Sequence, residues 1–441
     1  MARTISSEKL TLFTYFISII AIGTILLRMP AAWDGTEGLK FIDALFTSVS
    51  AVCVTGLITV DTALYSAFGK WVILALIQAG GLGIISFTTL YLAIPRGKIS
   101  LRSVRLIKTS YIDAVEHKAE HIIRNIIVTT IILELIGTLF LYIGFKEVQE
   151  KNRFFISLFH SISAFCNAGF SLFTENLTGY HTNPMAAYSV IGLIILGGLG
   201  FVVVQDVGKR IAYGKKLTFH SKIVLSVTGF LIAGGAFLYF VFERNNTLAG
   251  VFGFDKLTAV LFQSVTTRTA GFNTVVQSQL TQPSQFITLP LMFTGGSPGS
   301  IAGGVKVTTV FIVFLTIFRS PDKEGNFRIG SKKIMRQTVT NANIFIMKAL
   351  TILILSSFAL ILGEFLTGNE RPVLPLLFES FSAFGTVGLS LGITPELTVF
   401  GKCAIIFTMF AGRVGLISMA LPKLRKWEHA VDFPKGEVLI G

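Results

Sequence analysis

Charge is what this 441-residue chain has least of. Only 14% of its residues are charged, where a soluble domain carries about 25%. Acidic residues are the scarcer sign, 24 against 38 Lys and Arg, so the net charge is +14. With a mean hydropathy of +0.70 these figures exclude a soluble enzyme or binding domain. Period-two alternation is also missing, which excludes a β-barrel and leaves helices to satisfy the backbone inside lipid. Cysteine is nearly absent: Cys53, Cys166 and Cys403 have no metal-ligand spacing. The three read as small buried side chains in preference to a disulfide, and their spacing gives no thiolate metal centre. The first apolar segment, 10–30, lacks a small-residue cleavage site and reads as a true span rather than a signal peptide.

Apolar stretches of bilayer length recur along the chain, the mark of a polytopic α-helical membrane protein. Basic residues cluster in 96–124, 207–222, 319–348 and 423–435, and the connections 31–68, 170–185 and 272–287 hold almost none. This positive-inside asymmetry places both termini and the basic loops in the cytoplasm, and argues against nucleic acid as the partner of the positive charge.

One phrase returns four times and ends each time in glycine. The copies begin at Leu45, Leu158, Leu261 and Leu377 and follow L-F-x-S-x-[ST]-[AT], closing on Gly56, Gly169, Gly271 and Gly388. Spacings of 113, 102 and 117 residues between those glycines define a fourfold internal repeat. Each repeat reads as membrane helix, short re-entrant helix, glycine loop, membrane helix. The first helices are expected near 10–30, 121–145, 219–243 and 344–366, and the second near 69–95, 186–206, 284–318 and 399–421. Between them lie apolar stretches of about ten residues, such as 43–53 and 377–385; ten helical residues span roughly 15 Å, so they must dip in and return. The expected repeats are 10–100, 119–213, 219–320 and 340–425, with a cytoplasmic tail at 426–441.

A cation crossing lipid must exchange its water for fixed oxygens, and an extended backbone broken by glycine supplies them. The candidate filter carbonyls belong to Val54-Thr55-Gly56, Asn167-Ala168-Gly169, Thr269-Ala270-Gly271 and Thr386-Val387-Gly388, the last reading as the core of a potassium filter. The short helices would aim negative dipole ends at the ion. Arg268, three residues before its glycine, is expected behind the filter, bracing carbonyls or the short helix. Glu379, His160 and Gln263 precede the motif serine and are expected as polar partners rather than ligands. The second helices carry glycine runs too: Gly80-Gly81, Gly197-Gly198, Gly295-Gly296 and, in the fourth, Gly412-Arg413. In the first two repeats such a run reads as close helix contact. The third expands to Gly295-Gly296-Ser297-Pro298-Gly299 and on to Gly303-Gly304 and Lys306, which cannot form an ordinary helix.

These four loops, the broken third-repeat helix and Arg413 resemble the Trk/Ktr/HKT superfamily of potassium transporters, and within it the membrane subunits of bacterial Ktr systems, of the KtrB/KtrD kind. The likeness covers nearly the whole chain, including 382–389 and the C-terminal Gly436-Glu437-Val438. It implies an all-α polytopic membrane protein: four M1–pore helix–M2 repeats around one pseudo-fourfold pore, with eight transmembrane helices and four re-entrant pore helices. It further implies a homodimer in a bacterial plasma membrane, with one pore per chain, and a cytosolic RCK-type regulatory ring of the KtrA/KtrC kind. ATP and ADP would act on that partner and not on this chain, with K+ as the transported ion, Na+ as a candidate activator and sensitivity to cyclic di-AMP as a further family trait. One departure stands out: Asn167-Ala168-Gly169 is poor in hydroxyls beside Thr386-Val387-Gly388, so strict fourfold equivalence is broken and K+ over Na+ stays open.

Other readings compete. Gly295-Gly-Ser297-Pro-Gly299 matches the G-x-S-x-G of a serine hydrolase but lacks a preceding strand and a histidine partner. Gly299–Lys306 fails the phosphate-loop spacing. A channel without accessory subunits is a third possibility. Gly295, Gly296, Ser297, Gly299, Gly303, Gly304 and Lys306 are the expected gate, together with Arg413 near the middle of the apolar stretch 404–421. An arginine there costs roughly 2.5 to 3.5 kcal/mol on insertion scales. It either faces the pore as an electrostatic barrier or pairs with Glu364 or Glu134.

Overall fold

A computed structural model describes residues 7–93 and 119–416. The expected tail 426–441 and the last residues of the first and fourth repeats lie outside the described residues.

Repeat one comprises α1 (Ser7–Arg28), the short α2 (Phe41–Val52) and α3 (Ala67–Ala93). Repeat two comprises α4 (Ala119–Gly144), α5 (Glu150–Phe165), α6 (Pro184–Leu199) and α7 (Phe201–Tyr213). Repeat three is α8 (Phe219–Glu243), α9 (Gly253–Thr266), α10 (Gln282–Phe293) and α11 (Val307–Phe318). After a hairpin of β1 (Phe327–Ile329) and β2 (Lys332–Ile334), repeat four is α12 (Arg336–Leu366), α13 (Val373–Gly385) and α14 (Val399–Phe410). α14 runs on as a π-helical turn, Ala411–Gly415.

Among the described residues α1, α3, α4, α8 and α12 are long and apolar enough to cross a bilayer. The second helix of repeat two was expected to be continuous, and it is not: α6 and α7 meet at 108°. The cause is Gly200, at φ +80°, where an added Cβ would meet Ser297 Oγ at 2.6 Å. The break makes room for the third repeat. The second helix of that repeat is itself split into α10 and α11 by 294–306, as its glycine and proline content requires.

Local chemistry explains the starts. Thr218, Thr281 and Thr398 accept from the N–H three residues on, as does Asn183, capping α8, α10, α14 and α6. Within a repeat the motif serine ties the short helix to the first long one. Ser48 Oγ donates to Ile20 O at 2.8 Å, Ser161 Oγ to Glu134 O at 2.6 Å and Ser264 Oγ to Ile232 O at 2.8 Å. Gly23, Gly137 and Gly235 leave the space those hydroxyls occupy. In repeat four Ser380 Oγ has no partner. In repeats one, two and four a glycine of the second helix serves the same end: Gly80, Gly197 and Gly412 pack directly on the carbonyls of Val52, Phe165 and Phe384, where the short helices finish.

The repeats join cyclically. The second helix of each packs on the short helix of the next: α3 on α5, α6 on α9, α10 on α13, and α14 back on α2. An ion pair of Lys402 Nζ with Asp43 Oδ1, 2.8 Å apart and nearly buried, closes the last of these seams.

Candidate ion-conduction site

Each short helix ends in a loop with the same backbone alternation. Val54, Asn167, Thr269 and Thr386 are left-handed, at φ +56°, +55°, +67° and +49°. Two residues on, Gly56, Gly169, Gly271 and Gly388 return to positive φ, at +94°, +69°, +78° and +94°. A non-glycine residue held there is strained, and four such residues in register signal a constraint imposed by the site.

The loops form a closed ring in chain order. A Cβ on Gly56 would strike Ala168 O, one on Gly169 would meet Ala270 O at 2.8 Å, one on Gly271 would strike Val387 O, and one on Gly388 would strike Thr55 O. Thus the carbonyl before each loop glycine abuts the glycine of a neighbouring repeat, an approach that only glycine permits.

The second motif hydroxyl braces each loop. Ser50 Oγ accepts from Gly56 N and Ser382 Oγ from Gly388 N, both at 3.0 Å. Ser163 Oγ donates to Phe170 O at 2.8 Å, and Thr266 Oγ1 donates to Phe272 O. The residues before the motif serine hold the chain beyond the filter: His160 Nε2 meets Ser171 Oγ at 2.9 Å, Gln263 exchanges amide bonds with Gln277, and Glu379 accepts from Ser390 and Thr394. One end of the Asn167 amide faces only the acceptors Ala164 O and Ile194 O, at 3.1 and 3.3 Å, and that pairing assigns the amide nitrogen to that end. Thr55 and Thr386 hydroxyls are buried without a protein partner.

On one side the ring opens into a cavity of about 330 Å³ lined by Gly56, Gly169 and Gly388 with Asp61, Glu175 and Gln277. On the other lies the segment 294–306. Its ends are stitched together by Gly295 N to Val305 O at 2.9 Å and Val305 N to Phe293 O at 3.0 Å. Its middle docks on the break in repeat two, Ser297 N on Gly198 O at 3.0 Å and Ile301 N on Gly197 O at 3.3 Å. Gly303 fits against Thr386 Oγ1 and Gly385 O, where the fourth short helix ends. Ile301 is fully buried, and a Cβ on Gly81 would lie 3.4 Å from its side chain. From repeat four, Arg413 Nη1 donates to Ile301 O. Second helices of repeats one, two and four therefore all meet the glycine segment of repeat three beneath the ring, as the alignment of Arg413 with Gly81, Gly198 and Gly296 implies.

Three expectations need correction. Arg268 reaches the glycine segment, donating to Gly295 O at 3.3 Å, and not the filter carbonyls. Arg413 has no carboxylate partner among the described residues. Glu134 is bonded by Gln78 and Glu364 by Thr398, while Nε and Nη2 of Arg413 have no partner. Cys403 is exposed, whereas Cys53 and Cys166 are buried. Lys306 is held by Ala302 O at 2.6 Å. Ser297 Oγ is turned onto Leu199 O, and no histidine contacts it among the described residues.

Two acidic residues take a capping role that was not expected of them, Glu364 having been considered only as a partner for Arg413. Glu243, at the end of α8, accepts from Thr281 N at 2.9 Å, and Glu364, near the end of α12, from Thr398 N at 3.0 Å. Each fastens a first helix to the start of its second helix. The signal was present as a Glu followed by a capping threonine 38 or 34 residues later.

Residues 3–430 match the TrkH family, described as a cation transport protein. The chain belongs to that family. It is 40% identical over 435 residues to the Ktr system potassium uptake protein B of Bacillus subtilis, covering 97% of this chain and 95% of that one. It is 35% identical over 436 residues to the potassium/sodium uptake protein NtpJ of Enterococcus hirae, again 97% and 95%. The crystal structure of the potassium transporter TrkH from Vibrio parahaemolyticus superposes with a TM-score of 0.71, at 16% identity, over 95% of this chain and 84% of that one. The family membership makes this a multi-pass membrane transporter and removes the hydrolase reading.

Proposed function

We propose that this chain takes up potassium through the ring of four loops. The closed contact of Gly56, Gly169, Gly271 and Gly388 carries the reading, because it sets the carbonyl before each glycine against the next loop, and a ring of backbone carbonyls is what a cation filter requires. The names of the B. subtilis and E. hirae relatives support potassium as the ion. A membrane potential of 100 mV contributes about 2.3 kcal/mol per monovalent cation, enough for roughly fiftyfold accumulation without ATP hydrolysis by this chain. Segment 294–306, with Lys306 and Arg413, acts as an intramembrane gate. A cytosolic nucleotide-binding RCK-type subunit controls it, and the chain works as a homodimer in a bacterial plasma membrane with both termini cytoplasmic. In this reading the four repeats are 10–100, 119–213, 219–320 and 340–425. The hydroxyl-poor Asn167-Ala168-Gly169 and the potassium/sodium name of NtpJ favour sodium as an activator or second permeant ion.

Potassium uptake by a cell lacking its own uptake systems tests this, with the RCK-type partner present or absent. Rescue of growth at low potassium that depends on the partner is expected. Nucleotide-insensitive flux from the chain alone would instead make it a stand-alone channel. Folded protein in the membrane with no uptake under either condition would end the proposal.

A further inference from the structure

We propose that the filter is built as two unlike halves. Repeats four and one fix ion discrimination, through Ser382 and Ser50, whereas repeats two and three set how easily the ion is taken up. This rests on the filter reading above and concerns positioning residues behind it.

The braces divide the ring. In repeats one and four the hydroxyl accepts from the N–H of the filter glycine itself, Gly56 or Gly388. In repeats two and three it donates to the carbonyl of the next residue, Phe170 or Phe272. A trans peptide is planar, with N–H and C=O pointing opposite ways. Turning the Gly388 N–H back to Ser382 therefore turns Val387 C=O toward the ring, and Ser50 does the same for Thr55 C=O. Those are the carbonyls that abut Gly271 and Gly388. In repeats two and three the pinned peptide is the one beyond the glycine, so the Ala168 and Ala270 carbonyls are not fixed by the hydroxyl.

Three further observations follow the same division. Gly56 and Gly388 share φ +94°, whereas Gly169 and Gly271 sit at +69° and +78°. The residue after the glycine is Leu57 or Leu389 in one half and Phe170 or Phe272 in the other. The buried hydroxyls with no protein partner, Thr55 and Thr386, both belong to the half pinned through N–H. Repeats four and one are neighbours across the α14–α2 seam. One side of the ring thus has carbonyls aimed by a hydroxyl and further hydroxyls to spare, and the other has carbonyls that no hydroxyl aims.

The test compares single substitutions in cells lacking other potassium uptake, with the partner subunit present. Half-saturation for K+ and competition by Na+ are read together. Ser382→Ala and Ser50→Ala are expected to lower K+ over Na+ discrimination about tenfold, equal to about 1.4 kcal/mol. Ser163→Ala and Thr266→Val are expected to raise the K+ half-saturation while leaving discrimination within about twofold. Ser382→Thr, which keeps the acceptor, should restore it. If an alanine variant does not fold, Ser382→Cys, a weaker acceptor of similar size, carries the same expectation. Equal loss of discrimination in all four variants would overturn the proposal. So would no loss at Ser50 and Ser382 while Gly388→Ser still abolishes discrimination. If Gly388→Ser is itself silent, the filter reading falls and takes this division with it.

Discussion

Arg413→Met separates barrier from scaffold. Arg413 is 2% exposed, and of its three guanidinium nitrogens only Nη1 has a partner, the Ile301 carbonyl at the middle of the glycine segment. A hydrogen bond from a charged donor contributes about 1.5–3 kcal/mol. If that bond holds the segment under the filter, its loss shifts the balance toward the displaced segment by about 10- to 150-fold. Removing the charge from the cation path acts in the same direction. Folding should not suffer, because the substitution also removes a buried charge whose remaining donors are unsatisfied, and apolar replacements of such groups are often neutral or stabilising. The expected result is normal expression, a detergent-solution melting temperature equal to or above wild type, and faster potassium flux into proteoliposomes with weaker response to the cytosolic partner. Normal expression with slower uptake would refute the barrier. Loss of folded protein would show that the arginine holds the helices together.

Gly388→Ser and Gly271→Ser should abolish flux or selectivity, since the new Cβ would strike Thr55 O or Val387 O; ion competition in uptake assays reads this out. Shortening 294–306 should raise flux and reduce dependence on the partner, and a deletion that leaves both untouched would reduce the segment to a structural break. Glu364→Ala leaves the start of α14 without its carboxylate acceptor, bonded at 3.0 Å by Thr398 N, and should cost about 1.5–3 kcal/mol per charge-assisted bond, seen as a lower melting temperature. Neutralising Asp61 and Glu175, which line the cavity beside the ring, should raise the K+ half-saturation at low ionic strength and have little effect at high salt.

The sequence disclosed the repeat because every copy must solve the same packing problem: a hydroxyl behind the filter and a glycine where carbonyls crowd. Residues that satisfy local rules were accordingly readable, including the break after Phe293 and the re-entrant short helices. What stayed hidden depended on neighbours far along the chain. Gly200 reads as one more small residue in an apolar helix until Ser297 and Pro298 are seen packed against it. Arg268 sits in the filter phrase yet extends away to Gly295, a direction no spacing records. Lys402 and Asp43 are 359 residues apart, so their pairing was invisible until the ring closed.

Because all four quarters of the ring lie on one polypeptide, they need not be copies. A channel assembled from four identical subunits would inherit any interruption of its inner helix four times over and any arginine as a set of four. Here a single quarter carries the glycine segment, one other bends to receive it, and another contributes one positive charge. Carrying all four quarters on one chain turns symmetry from a constraint into a starting point: each quarter is free to specialise by point mutation while the other three keep the ring closed.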